Sequence, residues 1–376
     1  MKNKILVILG TRPEIIRLSC IINKIEKYFS LIVINTNQNF DKNLNDNFFK
    51  DLRLKKPKYT LNKKKYKNSI HFISNLLIEV DRILDIEKPD AVLVLGDTNS
   101  GLSILSAKKK KIPIFHIEAG NRCYDQRVPE EINRVLIDKI ADINMVYSDV
   151  AKNNLIKEGF DLEKIFKIGS PLFEIFREYQ AEIENSRILK KLRLIKYNYI
   201  LVSCHREENV GNFYNLNSIF IALNEISKKL NKKIIFSTHP RTYSQLKIIK
   251  KKLLNRIMFL KPFNYFDYIK LQLNAKITIS DSGSIVEESN ILNFPAINLR
   301  ETTERQEGME KGSVVISSLD SENIVKSVEI VLRRFSSNPE KDIHKDYSEI
   351  NVSEKVINIL QSYIPYINRR TWFKHK

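Results

Sequence analysis

The chain is built from short apolar runs, each followed by a longer stretch with helical spacing. KILVILG (4–10), LIVINT (31–36), AVLVLG (91–96), IPIFHI (112–117) and INMVYS (143–148) are continuously apolar rather than alternating. Strands of that kind are covered on both faces, the pattern of a parallel sheet. Between them, PEIIRLSCIINKIEKYF (13–29) and HFISNLLIEVDRILDIEKP (71–89) carry apolar residues at the period of a helix. This rhythm predicts a doubly wound α/β domain.

The rhythm pauses near IFKIGSP (165–171) and resumes with YILVSCH (199–205), KIIFSTH (233–239), IMFLKP (257–262), AKITISD (275–281), PAINLR (295–300) and SVVIS (313–317). Two Rossmann-like domains are expected, 1–170 and 171–352, with the helical segment 353–376 packing back on the body. Ligands of such sheets bind beyond the carboxyl ends of the strands, so two facing domains would hold one in a cleft.

The net charge of +19 invites a nucleic-acid reading. The lysines, however, lie in short runs (KKPK, KKKK, KKLNKK) scattered along the chain with few aromatics between them. No nucleic-acid partner is expected, although the charge would help attract a small anion. No apolar run approaches the roughly 20 residues that span a bilayer, so no membrane insertion is expected. Three separated cysteines fit reduced thiols and a cytoplasmic protein.

Charged residues concentrate where strands give way to helices. FHIEAGNRCYDQRVPEEINR (115–134) holds four carboxylates, three arginines and a histidine directly after a strand. GTRPE, GDTNS and SCHREEN mark three more such turns, and ITISDSGSIVEES (277–289) runs from strand through small residues into a helix. Ser282, Gly283 and Ser284 lack bulk, so their N–H groups and the helix behind them suit a phosphate. The ten glycines form neither G-x-G-x-x-G nor G-x-x-x-x-G-K-[ST], which excludes the dinucleotide fingerprint and the P-loop. His116 and Glu118 have H-x-E spacing, but no P-C-x-x-C follows, and neither metal nor cofactor is expected.

Taken in order, GTRPE, GDT, HIEAGNR, VPEEINR, HREEN, THPR, SDSG-x-x-EE and TTER resemble the non-hydrolysing UDP-N-acetylglucosamine 2-epimerase family. The resemblance extends from Gly10 to Arg305 and implies a GT-B-type fold, a UDP-sugar substrate and a homodimer. By motif it implies a catalytic set of Asp97, Glu118, Glu130 and His205. It implies phosphate contacts from Arg12, Arg17, Ser282, Gly283, Ser284 and Arg305, a ribose contact from Glu288 and an aromatic near uracil at Tyr268. The family usually has lysine where this chain has Arg17, and Gly-Gly where it has Gly283-Ser284.

Where relatives acting on UDP-N-acetylglucosamine read EAGLRTGD and a longer insert, this chain reads EAGNRCYDQRVPEE. That loop, with Arg122, Asp125 and Arg134, and INRRTW near the end, is similar to the branch forming UDP-N-acetyl-L-fucosamine for capsule or O-antigen synthesis. Arg122 and Arg134 are expected to hold Glu118 and Glu130 in place.

Overall fold

The computed structural model describes residues 2–38, 48–61, 66–249, 253, 255–310, 312, 314–337 and 342–374. It divides into two compact units, Met1–Glu178 with Lys345–Lys376, and Tyr179–His344. The first contains β1 (Lys4–Leu9), β2 (Ser30–Asn35), β3 (Tyr59–Thr60), β4 (Ala91–Leu95), β5 (Ile114–Ile117), β6 (Ile143–Val146) and β7 (Ile165–Lys167). They form one sheet in the order β3-β2-β1-β4-β5-β6-β7, every pair parallel. All five residues of β4 are buried, as its unbroken apolar run requires. On one face Leu6, Ile8, Val92 and Val94 pack with Val80, Leu84 and Ile137 from the flanking helices. The C-terminal helix Val352–Arg370 packs within this unit on the helix Arg12–Tyr28.

The second unit contains β8 (Tyr199–Ser203), β9 (Lys233–Ser237), β10 (Ile257–Leu260), β11 (Ile277–Ser280), β12 (Ala296–Asn298) and β13 (Val315–Ile316). Their order is β10-β9-β8-β11-β12-β13, again all parallel. Phe220 and Phe236 stack in its core with ring centroids 5.9 Å apart.

Both sheets reverse direction once. The chain winds outward from β1 through β2 and β3 and returns to place β4 on the other side of β1; β8 and β11 do the same in the second sheet. Connections that leave neighbouring strands on opposite faces open a crevice at their carboxyl ends. In the first unit GTRPE and GDTNS flank that crevice; in the second, SCHREEN and DSGS do.

Candidate active site

In the first unit the turn after β1 is fastened by Glu14. Thr11-x-x-Glu14 forms a capping box, with Pro13 in the first helical turn. Glu14 Oε2 accepts from Gly10 N and Thr11 N at 2.7 Å and from Thr11 Oγ1 at 2.9 Å, while Oε1 accepts from Thr98 Oγ1 at 2.7 Å. One buried carboxylate thus registers the GTRPE turn against GDTNS. Burial pushes its carboxyl above the usual range, with the donor groups of Thr98, Gly10 and Thr11 pulling the other way. Arg12 lies over the Phe48 ring at 5.9 Å, and Arg17, buried, lies over Tyr147 at 5.7 Å.

Glu118 follows β5 with a φ of +68°, a left-handed conformation costing a residue with a Cβ about 1–2 kcal/mol. Its Oε2 is 3.6 Å from Arg17 Nε, so the helix that follows β1 supplies its cation. Tyr124 in the same loop is also left-handed, at φ +57°. Non-glycine residues held this way gather at functional sites. Asp97, beyond β4, accepts from Arg134 Nη2 at 2.6 Å and Nε at 3.1 Å.

Glu130 and Glu131 open the helix Pro129–Ile140 but do different work. Glu131 is buried and closes the loop, accepting from Tyr124 N at 2.9 Å, Cys123 N at 3.1 Å and Arg134 Nη1 at 2.8 Å. Glu130 is half-buried and makes no hydrogen bond or ion pair among the described residues, leaving its carboxylate available for proton transfer. Asp125 pairs with its neighbour Arg127 at 2.9 Å, which holds its carboxyl below the ordinary range.

The expectation for Arg122 is corrected. Its Nη1 donates to Asp138 at 2.8 Å and its Nη2 and Nε to Glu158 at 2.7 Å, so it supports the loop from beneath rather than holding Glu118 or Glu130. Asp138, fully buried, also accepts from His116 Nδ1 at 2.9 Å and Gly120 N at 3.2 Å. His116 Nε2 bonds Gly96 O at 2.9 Å, so both ring nitrogens of the H-x-E histidine are engaged inside the fold. Among the described residues no group of three His, Cys, Asp or Glu side chains is placed to hold a metal.

In the second unit Asp281 organises the HREEN turn. Its Oδ2 accepts from His205 N and Arg206 N at 2.8 Å and from Asn209 Nδ2 at 3.1 Å; Oδ1 is 3.3 Å from His205 Nδ1. Burial opposes its charge, but His205, the two backbone donors and Arg206 outweigh it and hold the carboxyl below the usual range. A carboxylate lowered on folding stabilises above its unfolded pKa, about 3.9, and that stability is lost as pH falls through the lowered value. Asp281→Asn is therefore expected to remove a pH-dependent component of stability below about pH 4, measured by urea unfolding across pH 3–7; an unchanged slope would remove Asp281 from that role.

Ser282 and Ser284 share a hydrogen bond at 2.9 Å across Gly283, at the start of the helix Ile285–Leu292. Glu288, buried in that helix, accepts from Gln272 Nε2 at 2.7 Å. Tyr268 sits on the helix Tyr265–Asn274; burial raises its phenol, which bonds Ser203 and Ser280. Arg305 is buried with Nε 3.0 Å from Glu287. Glu14, Glu131, Asp138 and Asp281 were not singled out from sequence. The T-x-x-E spacing and the strand-end position of Asp281 were available signals; nothing local marks Asp138.

A family model for UDP-N-acetylglucosamine 2-epimerase matches residues 23–361. The chain belongs to that family. It is a non-hydrolysing UDP-sugar 2-epimerase, an isomerase, with the α/β fold of the GT-B-like members. It is similar to the solved UDP-N-acetylglucosamine 2-epimerase of Rickettsia bellii, at 42% identity and TM-score 0.90 over 100% of both chains. The Methanocaldococcus jannaschii epimerase, solved with UDP-GlcNAc and UDP, is 37% identical with a TM-score of 0.89, covering 96% of this chain and 99% of that one. A Pseudomonas aeruginosa relative named UDP-2,3-diacetamido-2,3-dideoxy-D-glucuronate 2-epimerase is 34% identical, covering 86% of this chain and 91% of its own. The family thus spans more than one sugar. Among the described residues of this epimerase no helix is long and apolar enough to cross a membrane.

Proposed function

We propose that this epimerase inverts C2 of UDP-2-acetamido-2,6-dideoxy-L-talose to give UDP-N-acetyl-L-fucosamine, for capsule or O-antigen synthesis. The observation that carries the substrate is the loop EAGNRCYDQRVPEE, which is shorter and more polar than the EAGLRTGD form and is drawn closed by Glu131 on Cys123 and Tyr124. A 6-deoxy sugar presents a methyl group in place of a hydroxymethyl, and a reshaped loop suits that difference. The runner-up is interconversion of UDP-N-acetylglucosamine and UDP-N-acetylmannosamine, favoured by the name shared by the Rickettsia and Methanocaldococcus proteins.

The C2 proton is not adjacent to a carbonyl and is weakly acidic, so the sugar's own leaving group drives the reaction. A base takes the C2 proton while the C1–O bond to UDP breaks, leaving a glycal. The proton returns to C2 from the other face and UDP re-forms the bond at C1. Glu118 and Glu130 are the proton-transfer groups and Asp97 completes the carboxylate set. Arg12 and Arg17 stabilise the departing diphosphate. In the second unit Ser282, Gly283, Ser284 and Arg305 take the phosphates, Glu288 the ribose and Tyr268 the uracil, and His205 joins the catalytic set. A homodimer in the cytoplasm belongs to the same reading.

Incubation in D2O with each UDP-sugar, followed at C2 by NMR, tests it. The expected result is deuterium incorporation with inversion for the L-talo sugar. Turnover of UDP-N-acetylglucosamine alone would select the runner-up, and exchange with neither would overturn both.

A further inference from the structure

The Ser282–Gly283–Ser284 turn already has an anion against it, and that anion belongs to the protein. Arg300, 5% exposed, donates through Nε to Asp281 O at 2.8 Å and through Nη1 to Glu304 Oε2 at 2.5 Å. Its Nη2 is buried with no hydrogen-bond partner among the described residues. That nitrogen lies 3.4 Å from the point where a Cβ on Gly283 would stand, so it is directed at the turn. The same imagined Cβ would collide with Glu304 Oε1. The Glu304 carboxylate thus stands in the space that a side chain at 283 would occupy.

We propose that Arg300 is a phosphate-contacting residue of the nucleotide site, and that Glu304 occupies the phosphate position until a nucleoside diphosphate displaces it. The proposal rests on the UDP-sugar reading above. A buried guanidinium donor lacking an acceptor is unfavourable, and a phosphate oxygen would satisfy it. The bond from Nε to the Asp281 carbonyl fixes the plane of the fork, leaving Nη1 and Nη2 to present a bidentate edge. Glu304 now takes Nη1, and two anions cannot share that edge without repulsion. Nucleotide binding therefore includes release of Glu304, which lowers the apparent affinity by the fraction of molecules in which it has left.

Calorimetric titration with UDP, and separately with inorganic pyrophosphate, tests this. Glu304→Gln removes the competing charge and should tighten UDP binding by about threefold to tenfold. Arg300→Met should weaken it by about tenfold to a hundredfold, and Arg300→Lys, a charge without the fork, by an intermediate factor. Thermal unfolding without ligand checks that each variant is folded; if Arg300→Met is not, Arg300→Lys carries the comparison. Weaker UDP binding in Glu304→Gln would make Glu304 a supporting counter-ion and overturn its placeholder role. Wild-type affinity in the folded Arg300 variants would overturn the contact itself. A folded wild-type chain that binds neither UDP nor pyrophosphate would overturn the nucleotide reading.

Discussion

Replacing Glu118 or Glu130 by glutamine is expected to lower the rate of C2 inversion by on the order of 10²-fold to 10⁴-fold, the loss typical of a removed acid or base. UDP affinity should stay within about threefold, because the role proposed for these side chains is proton transfer and the phosphate contacts are proposed for other residues. The two carboxylates are held differently. Glu118 sits in a strained left-handed conformation with its carboxylate beside the buried Arg17. Glu130 stands at a helix start with no partner among the described residues. Deuterium exchange at C2 measures turnover and calorimetry with UDP measures binding. Near-normal exchange in either variant would strike that carboxylate from the catalytic set, while parallel loss of UDP affinity would point to misfolding.

Asp138→Ala should be the most damaging change to stability, about 3–5 kcal/mol, because it strands buried charge. Asp138 is 0% exposed and accepts from His116, Gly120 and Arg122. Its removal leaves the Arg122 guanidinium with Glu158 and the Asn121 carbonyl, and His116 without the acceptor at Nδ1. The same substitution should slow turnover. Through His116, Asp138 holds Gly96 O, one residue before Asp97, and directly it holds Gly120 N, two residues after Glu118. Asp138→Asn keeps the shape and one acceptor and should lose less. Equilibrium urea unfolding supplies the comparison; a loss below about 1 kcal/mol for the alanine variant would show that the surroundings relax and that the hub is dispensable.

The two sheets were legible because their signal is local. Continuous runs such as AVLVL demand burial on both faces wherever they fall, and the long helical stretches between them permit only parallel crossovers. The turns after β1, β4, β8 and β11 could likewise be picked out from small residues, prolines and charges in a row. Which charged residue performs which task was not legible. Glu130 and Glu131 are adjacent in sequence, yet successive helical residues differ by about 100° in direction, so one faces the loop it fastens and the other does not. From sequence Arg122 is expected to partner Glu118 or Glu130, and instead it braces Asp138 and Glu158, which lie 16 and 36 residues away. Arg300 and Arg305 are equivalent on paper; only the tertiary structure sets one against Glu287 and turns the other toward Gly283. Periodicity is a property of neighbours along the chain, so the sequence alone determined the two parallel sheets and the turns that carry charge. Hydrogen-bond partnership depends on distances of about 3 Å between groups far apart in sequence, and that was settled only when the strands were laid side by side.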